Sequence, residues 1–170
     1  MKTLKTKFSS IYTGIGSYKL FWGISISLLL LDQLSKAWVR TSLPLNAPGI
    51  HVIDGFFSLI YVHNTGAAWS LFEGQSYFLA LLAVAALGCM FYFREILELE
   101  RASMQLLFGL ICGGVVGNLI DRLLYGYVVD FLDFQLPGYH WPTFNIADCG
   151  ITVGVALYII YSFLGKEQTQ

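Results

Sequence analysis

Long apolar runs dominate the pattern of this chain. They share a length of roughly 20 residues and lie at about 20–39, 76–93, 104–124 and 144–164. A helix of about 20 residues crosses the roughly 30 Å of hydrocarbon in a bilayer, because each residue adds about 1.5 Å. The runs therefore predict four transmembrane helices in a single integral membrane domain that covers residues 1–170.

Lysine and arginine residues cluster at alternate ends of these predicted helices. Those expected on one side are Lys2, Lys5, Lys7, Lys19, Arg94, Arg101 and Lys166. Such residues favour the cytoplasmic side of a membrane. The distribution predicts that both termini are cytoplasmic and that the two longer connections, about 41–75 and 125–141, lie outside.

The first long connection carries a strand pattern. Its segment HVIDGFFSLIYVHN is rich in β-branched and aromatic side chains, and Asp54-Gly55 is a turn signal. It predicts a small β hairpin or sheet on the outer face. The second connection is also rich in aromatic residues, and we expect it to lie in the headgroup layer. The predicted fold class is an all-α membrane protein of four transmembrane helices with a small extracytoplasmic β hairpin or sheet.

Polar residues inside the predicted helices fall in one layer. Only 12% of the residues are charged, whereas a soluble domain carries about a quarter. Ionisable side chains are costly at membrane depth and therefore indicate function. Those near the predicted outer ends of the helices, with the amides beside them, are Asp32, Lys36, Asn118, Asp121, Arg122, Asn145 and Asp148. Their shared depth predicts one site close to the outer surface.

Spacing along the helices separates structural from functional roles in this layer. Asp32 and Lys36 stand four residues apart on one helix face, which predicts a structural ion pair. Asp121 and Arg122 are neighbours that point in different directions, so each needs a partner on another helix. We expect these two residues to support the site. Asp148 has no cation within helical reach, and we interpret it as functional.

The connection before Asp148 supplies two more carboxylates, Asp130 and Asp133. Because this connection joins the two helices that carry Asn118 and Asp148, one of the two acids is expected to lie within reach of Asp148. Two close carboxylates cannot both ionise comfortably, so one keeps a proton near neutral pH. Such a pair can activate water with one member and protonate a leaving group with the other.

Glycines recur every four residues on the third and fourth predicted helices. They are Gly109, Gly113 and Gly117 on one helix and Gly150 and Gly154 on the other. Small residues at this spacing let membrane helices approach closely. The pattern predicts close contact between helices three and four, which brings Asn118 and Asp121 towards Asn145 and Asp148.

Other functions fit the residues less well. The net charge of −1 argues against a nucleic-acid partner. His51, His63 and His140 are dispersed without metal-ligand spacing, so we expect no metal and no other cofactor. The alternative function is a small ion-coupled or proton-coupled transporter that uses the acids as a relay. A transporter is expected to spread polar groups through the membrane depth, whereas here they lie on one side.

Five blocks of sequence resemble one known family. They are DQLSK at 32–36, NTGAAWS at 64–70, GNLIDR at 117–122, VVDF at 128–131 and FNIADC at 144–149. In this order they resemble the lipoprotein signal peptidases, also called signal peptidase II. The resemblance implies a four-helix aspartyl endopeptidase of the bacterial inner membrane that has its active site near the outer face. It also implies cleavage of prolipoproteins just before a cysteine that carries a diacylglyceryl group.

The resemblance also implies roles for individual residues. Asp130 and Asp148 match the catalytic dyad. Residues that bind substrate or support the site are Asn64, Gly66, Asn118, Asp121, Arg122 and Asn145. Asp32 and Lys36 match a structural polar pair. The expected partners are diacylglyceryl-modified prolipoproteins and membrane lipids, with no nucleic acid, and the expected state is a monomer.

The predicted orientation can be tested by cysteine labelling from outside. Thiols introduced near Asn46 and Gly138, in a background without native cysteines, should react with an impermeant reagent applied to intact cells. A thiol near Glu98 should react only after the membrane is opened, because the short loop that carries Arg94 and Arg101 is expected inside. Labelling at Glu98 in intact cells would reverse the assignment.

Overall fold

The computed structural model describes residues 18–166, and Lys2, Lys5 and Lys7 lie outside the described residues. Its four helices are α1 (Lys19–Ser42), α2 (Ser76–Tyr92), α3 (Ala102–Tyr125) and α4 (Ile146–Lys166). Each matches one of the predicted apolar runs. The largest difference in bounds is at the end of α1, which continues three residues further, to Ser42. Helix α4 begins at Ile146 and leaves Asn145 just before the helix.

Length separates α2 from the other helices. Among residues 18–166, α1, α3 and α4 are long and apolar enough to cross a membrane, whereas α2 has 17 residues and falls below that length. At about 1.5 Å per residue, α2 is about 26 Å long, slightly less than the hydrocarbon core. Three of the four predicted spans therefore meet the requirement, and the span by α2 stays a prediction.

The helices pack around α3. In its most apolar window 61% of the residues are buried, against 22% for α1 and 17% for α4. Large apolar side chains on the outward faces of the other helices, such as Leu34, Leu81 and Phe163, are exposed. In water such a surface would be unstable, so this pattern is that of a protein embedded in lipid.

The glycines explain why α3 sits at the centre, but they correct one prediction. Gly109 and Gly113 face α1, where an added Cβ at Gly113 would lie 2.6 Å from the Ser25 carbonyl oxygen. The stripe on α3 therefore packs mainly against α1, and the expectation that it faces α4 is wrong. The predicted contact between α3 and α4 does form, through Gly114 on α3 and Gly154 on α4. Glycine spacing shows that a helix is approached closely but does not identify the neighbour.

A four-stranded antiparallel sheet caps one end of the helices. Its strands are β1 (Ile50–Ile53), β2 (Phe57–Asn64), β3 (Val128–Leu136) and β4 (Tyr139–His140), in that spatial order. The predicted hairpin is present as β1 and β2, and Gly55 supplies the positive φ of +69° in its turn. The sheet order brings the two long connections of the chain together.

The second connection, which is expected in the headgroup layer, contains a strand that the sequence analysis does not predict. It forms β3, which pairs with β2 between Val128 and Phe134. Gly126 ends α3 with a φ of +78°, so the chain reverses and β3 begins two residues later. Val129 and Phe131 of β3 then pack against Val39 at the end of α1. Their burial anchors β3 over the helix ends.

The packing of α3 against α1 can be tested at Gly113. A Gly113→Ala change places a methyl group against the Ser25 backbone, which cannot move aside easily. We expect a loss of about 1–3 kcal/mol in stability, as for other overpacked sites. Thermal unfolding in detergent measures it. The control is Gly88→Ala on α2, where a Cβ meets nothing within 4 Å and helix propensity favours alanine. Equal effects at both positions would contradict the packing.

Candidate active site

Asp130 lies in β3 with its carboxylate held by two amides. Its side chain is 2% exposed. Asn64, the last residue of β2, donates from Nδ2 to Asp130 Oδ2 at 2.9 Å, and Asn145 donates from Nδ2 to Oδ1 at 2.7 Å. Each carboxylate oxygen therefore has a donor that fixes its direction.

Burial and charge change the acidity of Asp130. Burial is the larger cause and the nearby Asp148 charge the second, and together they raise the pKa of Asp130 from 3.8 to about 7. The two amide donors act in the opposite direction because they stabilise the carboxylate. Near neutral pH, Asp130 can therefore exist in either state, which suits a group that exchanges protons.

Asp148 is held by the start of α4. The backbone N–H of Asn145 donates to Asp148 Oδ2 at 3.1 Å, while the backbone N–H of Asp148 donates to Asn145 Oδ1 at 3.0 Å. This reciprocal pair is a capping box, which satisfies two backbone donors at the helix start. The position near a helix N-terminus also favours negative charge on the carboxylate.

Asn118 joins the two sides of the site. Its Nδ2 donates to Asp148 Oδ1 at 2.7 Å, and its Oδ1 accepts from Lys36 Nζ at 2.9 Å and from Asn145 Nδ2 at 3.1 Å. Because an ammonium group only donates, Lys36 requires the amide oxygen on its own side. The amide NH₂ group of Asn118 is thereby directed at Asp148.

A buried ion cluster surrounds Lys36. Its Nζ lies 2.9 Å from Asp32 Oδ2 and 3.0 Å from Asp121 Oδ2, and all three side chains are at most 3% exposed. The ion pair predicted between Asp32 and Lys36 is therefore present, and Asp121 completes it from α3. Gln33 adds amide donors to both carboxylates at 3.1 Å.

The same two carboxylates also hold the backbone beside the dyad candidates. Asp32 Oδ1 accepts from the backbone N–H of Ala147 at 2.9 Å, one residue before Asp148. Asp121 Oδ2 accepts from the backbone N–H of Val129 at 3.1 Å, one residue before Asp130. The ion cluster therefore fixes the chain next to both acids.

Arg122 supports the site from the opposite edge. Its Nη2 donates to the carbonyl oxygen of Gly66 at 3.0 Å, and the Gly66 N–H donates to Asn64 Oδ1 at 2.9 Å. A side chain at residue 66 would approach the Leu71 carbonyl oxygen to 2.7 Å, so only glycine fits here. Through this loop, Arg122 holds the amide that contacts Asp130.

The structure brings all ten sequence-predicted site residues into one connected group. It also distinguishes the two acids of β3, because Asp130 lies in this group and Asp133 does not. Asp133 is 2% exposed, accepts from Gln135 and Thr143 and contacts His140, so its partners lie outside this group. Residues three apart on a strand point to opposite faces, which separates the two acids.

Sequence reasoning missed one member of the group, Gln33. Its side chain bridges Asp32 and Asp121 and also donates to the carbonyl oxygen of Gly117 at 3.2 Å. The available signal was an uncharged polar residue beside Asp32 in an otherwise apolar run. A glutamine next to an acid is common on solvated helices, so the signal is weak without the position of α3.

Comparison with known proteins shows the family to which the chain belongs. A family described as signal peptidase (SPase) II matches residues 24–164. A lipoprotein signal peptidase of Symbiobacterium thermophilum is 42% identical over 146 residues, which cover 85% of this chain and 95% of the relative. The chain belongs to the signal peptidase II family. A second lipoprotein signal peptidase, from Ralstonia nicotianae, is 44% identical over 81% of this chain and 80% of its own.

Two solved structures are similar to this chain in both fold and sequence. One described as a bacterial membrane enzyme superposes with a TM-score of 0.80 at 33% identity and covers 86% of this chain and 89% of its own. A second gives a TM-score of 0.72 at 35% identity, over 81% and 88% of the two chains. Membership of the family shows that the chain is a peptidase. The transporter considered from the sequence finds no support among these relatives.

The ion cluster can be tested at Asp121. Asp121→Asn leaves Lys36 with one carboxylate in a buried site, and loss of one partner from a buried pair typically costs about 3–5 kcal/mol. We expect lower thermal stability and lower peptidase activity together, because the Val129 backbone loses a charged acceptor. Glu98→Gln, which breaks an exposed pair with Arg101, is the control and should change stability by less than about 1 kcal/mol. An Asp121→Asn protein of normal stability would contradict the assignment.

The raised pKa of Asp130 gives a pH dependence of stability with a definite sign. Its folded value of about 7 exceeds 3.8, so folding favours the protonated acid, and stability falls as pH rises between these values. Asp130→Asn removes this loss. The stability of Asp130→Asn relative to wild type should therefore be greater at pH 8 than at pH 5, by about 3 kcal/mol. Because the variant lacks the same hydrogen bonds at both pH values, their contribution to stability cancels in the comparison. A stability difference between the variant and wild type that does not change with pH would contradict the raised pKa of Asp130.

Proposed function

We propose that this chain is an aspartyl endopeptidase that removes signal peptides from prolipoproteins, with Asp130 and Asp148 as its catalytic dyad. The observation that carries the proposal is the shared contact of both carboxylates with Asn145. Its side-chain amide donates to Asp130, and its backbone N–H donates to Asp148. A buried acid on β3 and a half-buried acid on α4 are thereby aligned around one residue.

The chemistry follows from unequal protonation of the two acids. The ionised acid takes a proton from water, whose oxygen attacks the scissile carbonyl carbon, while the protonated acid hydrogen-bonds the carbonyl oxygen. A proton then passes to the leaving amine as the C–N bond breaks. Asp130, with a pKa of about 7, can hold or release that proton near neutral pH. The cycle ends with one proton shared by the pair, as it began.

The proposed cleavage lies just before a diacylglyceryl-modified cysteine, so the lipidated cysteine becomes the new N-terminus. In this proposal the protein is a monomer of the bacterial inner membrane with four spans, including α2. Both termini are cytoplasmic and the site is near the outer face. A substrate anchored by its acyl chains can present its peptide bond at this depth while the chains remain in lipid.

The deciding experiment is a cleavage assay with purified protein in detergent. A lipid-modified precursor peptide should lose the mass of its signal peptide, with the new N-terminus at the modified cysteine. Addition of EDTA should leave the rate unchanged, because two carboxylates need no metal ion for this step. Loss of activity with EDTA and recovery with one specific metal would contradict the aspartyl mechanism. An intact precursor under all conditions would contradict the function.

Individual acids are tested by asparagine variants. Asp130→Asn and Asp148→Asn should each reduce turnover by about a hundredfold or more, because an amide neither accepts nor donates the required proton. Both proteins should still fold. Asp133→Asn is the matched control on the same strand and should keep substantial activity. Turnover and thermal stability are measured for all three in one detergent. An active Asp130→Asn together with an inactive Asp133→Asn would show that the dyad is wrongly chosen.

A further inference from the structure

An apolar groove runs along the surface between α2 and α3. It has a volume of about 460 Å³ and is lined entirely by aliphatic, aromatic and sulfur-containing side chains. Its lining residues include Ala86, Phe93, Ile96, Phe108, Ile111 and Val115. Its size lies within the range of about 300–1,000 Å³ that is usual for ligand sites.

On α3, the groove begins within one helical turn of the candidate active site. Val115, at one end, is three residues before Asn118, which donates to Asp148 at 2.7 Å. From Val115 to Phe108 the groove follows α3 for about two turns, or roughly 10 Å. With the orientation proposed above, this direction runs from the outer face towards the cytoplasm.

A signal peptide has the chemistry that fits this path. It consists of a basic segment followed by an apolar segment of about 7–15 residues, with the cleavage site after both. When the scissile bond lies at the dyad, the apolar segment must extend from the site into the membrane. Two helical turns correspond to about seven residues, which is the lower limit of the length of that segment.

Charge at the inner end of the groove supports the same occupant. The loop after α2 exposes Glu95, Glu98 and Glu100 beside Phe93 and Ile96. Arg94 lies 3.4 Å from Glu95 and Arg101 lies 2.9 Å from Glu98, so these four charges balance in pairs. The remaining acid, Glu100, gives the loop a net charge of −1. This balance suits the basic segment of a signal peptide better than an anionic lipid headgroup.

We propose that the groove between α2 and α3 binds the apolar segment of the substrate's signal peptide and contributes to substrate selection. The proposal rests on the proposed function, because it takes the dyad as the point of cleavage. Ala86 lies on the exposed rim of the groove, so a larger side chain there fills the groove without entering the packed interior. Its neighbour Ala85 is also exposed but is not among the lining residues.

The test compares Ala86→Trp with Ala85→Trp on two lipid-modified substrates. One is a full precursor, and the other is a short peptide that keeps the residues around the modified cysteine but lacks the apolar segment. Ala86→Trp should lower kcat/KM for the full precursor by roughly tenfold, mainly by raising KM. An effect of this size is expected when an apolar group fits its pocket poorly. It should leave cleavage of the short peptide unchanged. Ala85→Trp should behave as wild type on both.

Two results would overturn the groove proposal: normal cleavage of the full precursor by Ala86→Trp, or an equal loss on both substrates. A crosslinking experiment tests the groove without depending on cleavage. A precursor with a photoreactive group in its apolar segment is bound to Asp148→Asn, and the crosslinked residues are mapped by mass spectrometry. Crosslinks to α2 and α3 around Ala86 and Ile111 support the groove, and crosslinks only elsewhere overturn it. A wild-type protein that cuts neither substrate contradicts the proposed function, while the crosslinks still decide the groove.

Discussion

The pairing of Lys36 with Asp32 and Asp121 is the interaction on which the rest of the site depends. Three buried charges in this layer are stable only as a group, because each alone would lose its hydration without compensation. The lysine sets the direction of the Asn118 amide, and the two carboxylates hold the backbone at Ala147 and Val129. Neither candidate acid touches Lys36 directly, yet the chain beside each is fixed by one of its partners.

Close helix packing makes this arrangement possible. A Cβ at Gly117 would approach Asp32 Oδ2 to 2.6 Å, so any larger residue would displace the carboxylate that holds α4. The absence of side chains on one face of α3 thus lets a polar group from α1 reach across to the start of α4. Steric and electrostatic requirements meet at the same turn of α3, immediately before Asn118.

Much of the site could be predicted from sequence, because membrane helices make their polar residues conspicuous. Asp32, Lys36 and Asp148 stand out in apolar surroundings, and helix direction gives their depth. The partner of the glycine stripe could not be predicted, since spacing reports close approach but not the neighbour. Strand β3 was missed because VVDFLDF is as suitable for an aromatic headgroup layer as for a sheet. Its role depends on pairing with β2, about seventy residues earlier in the chain.

The cap at the start of α4 has a consequence for motion during the reaction. Asp148 is both a candidate proton carrier and the acceptor that satisfies the Asn145 backbone donor. A neutral carboxyl group is a weaker acceptor than a carboxylate and loses its attraction to the helix dipole. Under the proposed mechanism, protonation of Asp148 loosens the first turn of α4, and deprotonation tightens it. Asn145, whose side chain holds Asp130, caps that turn. Under this mechanism, fraying of the helix start therefore couples the protonation states of the two acids.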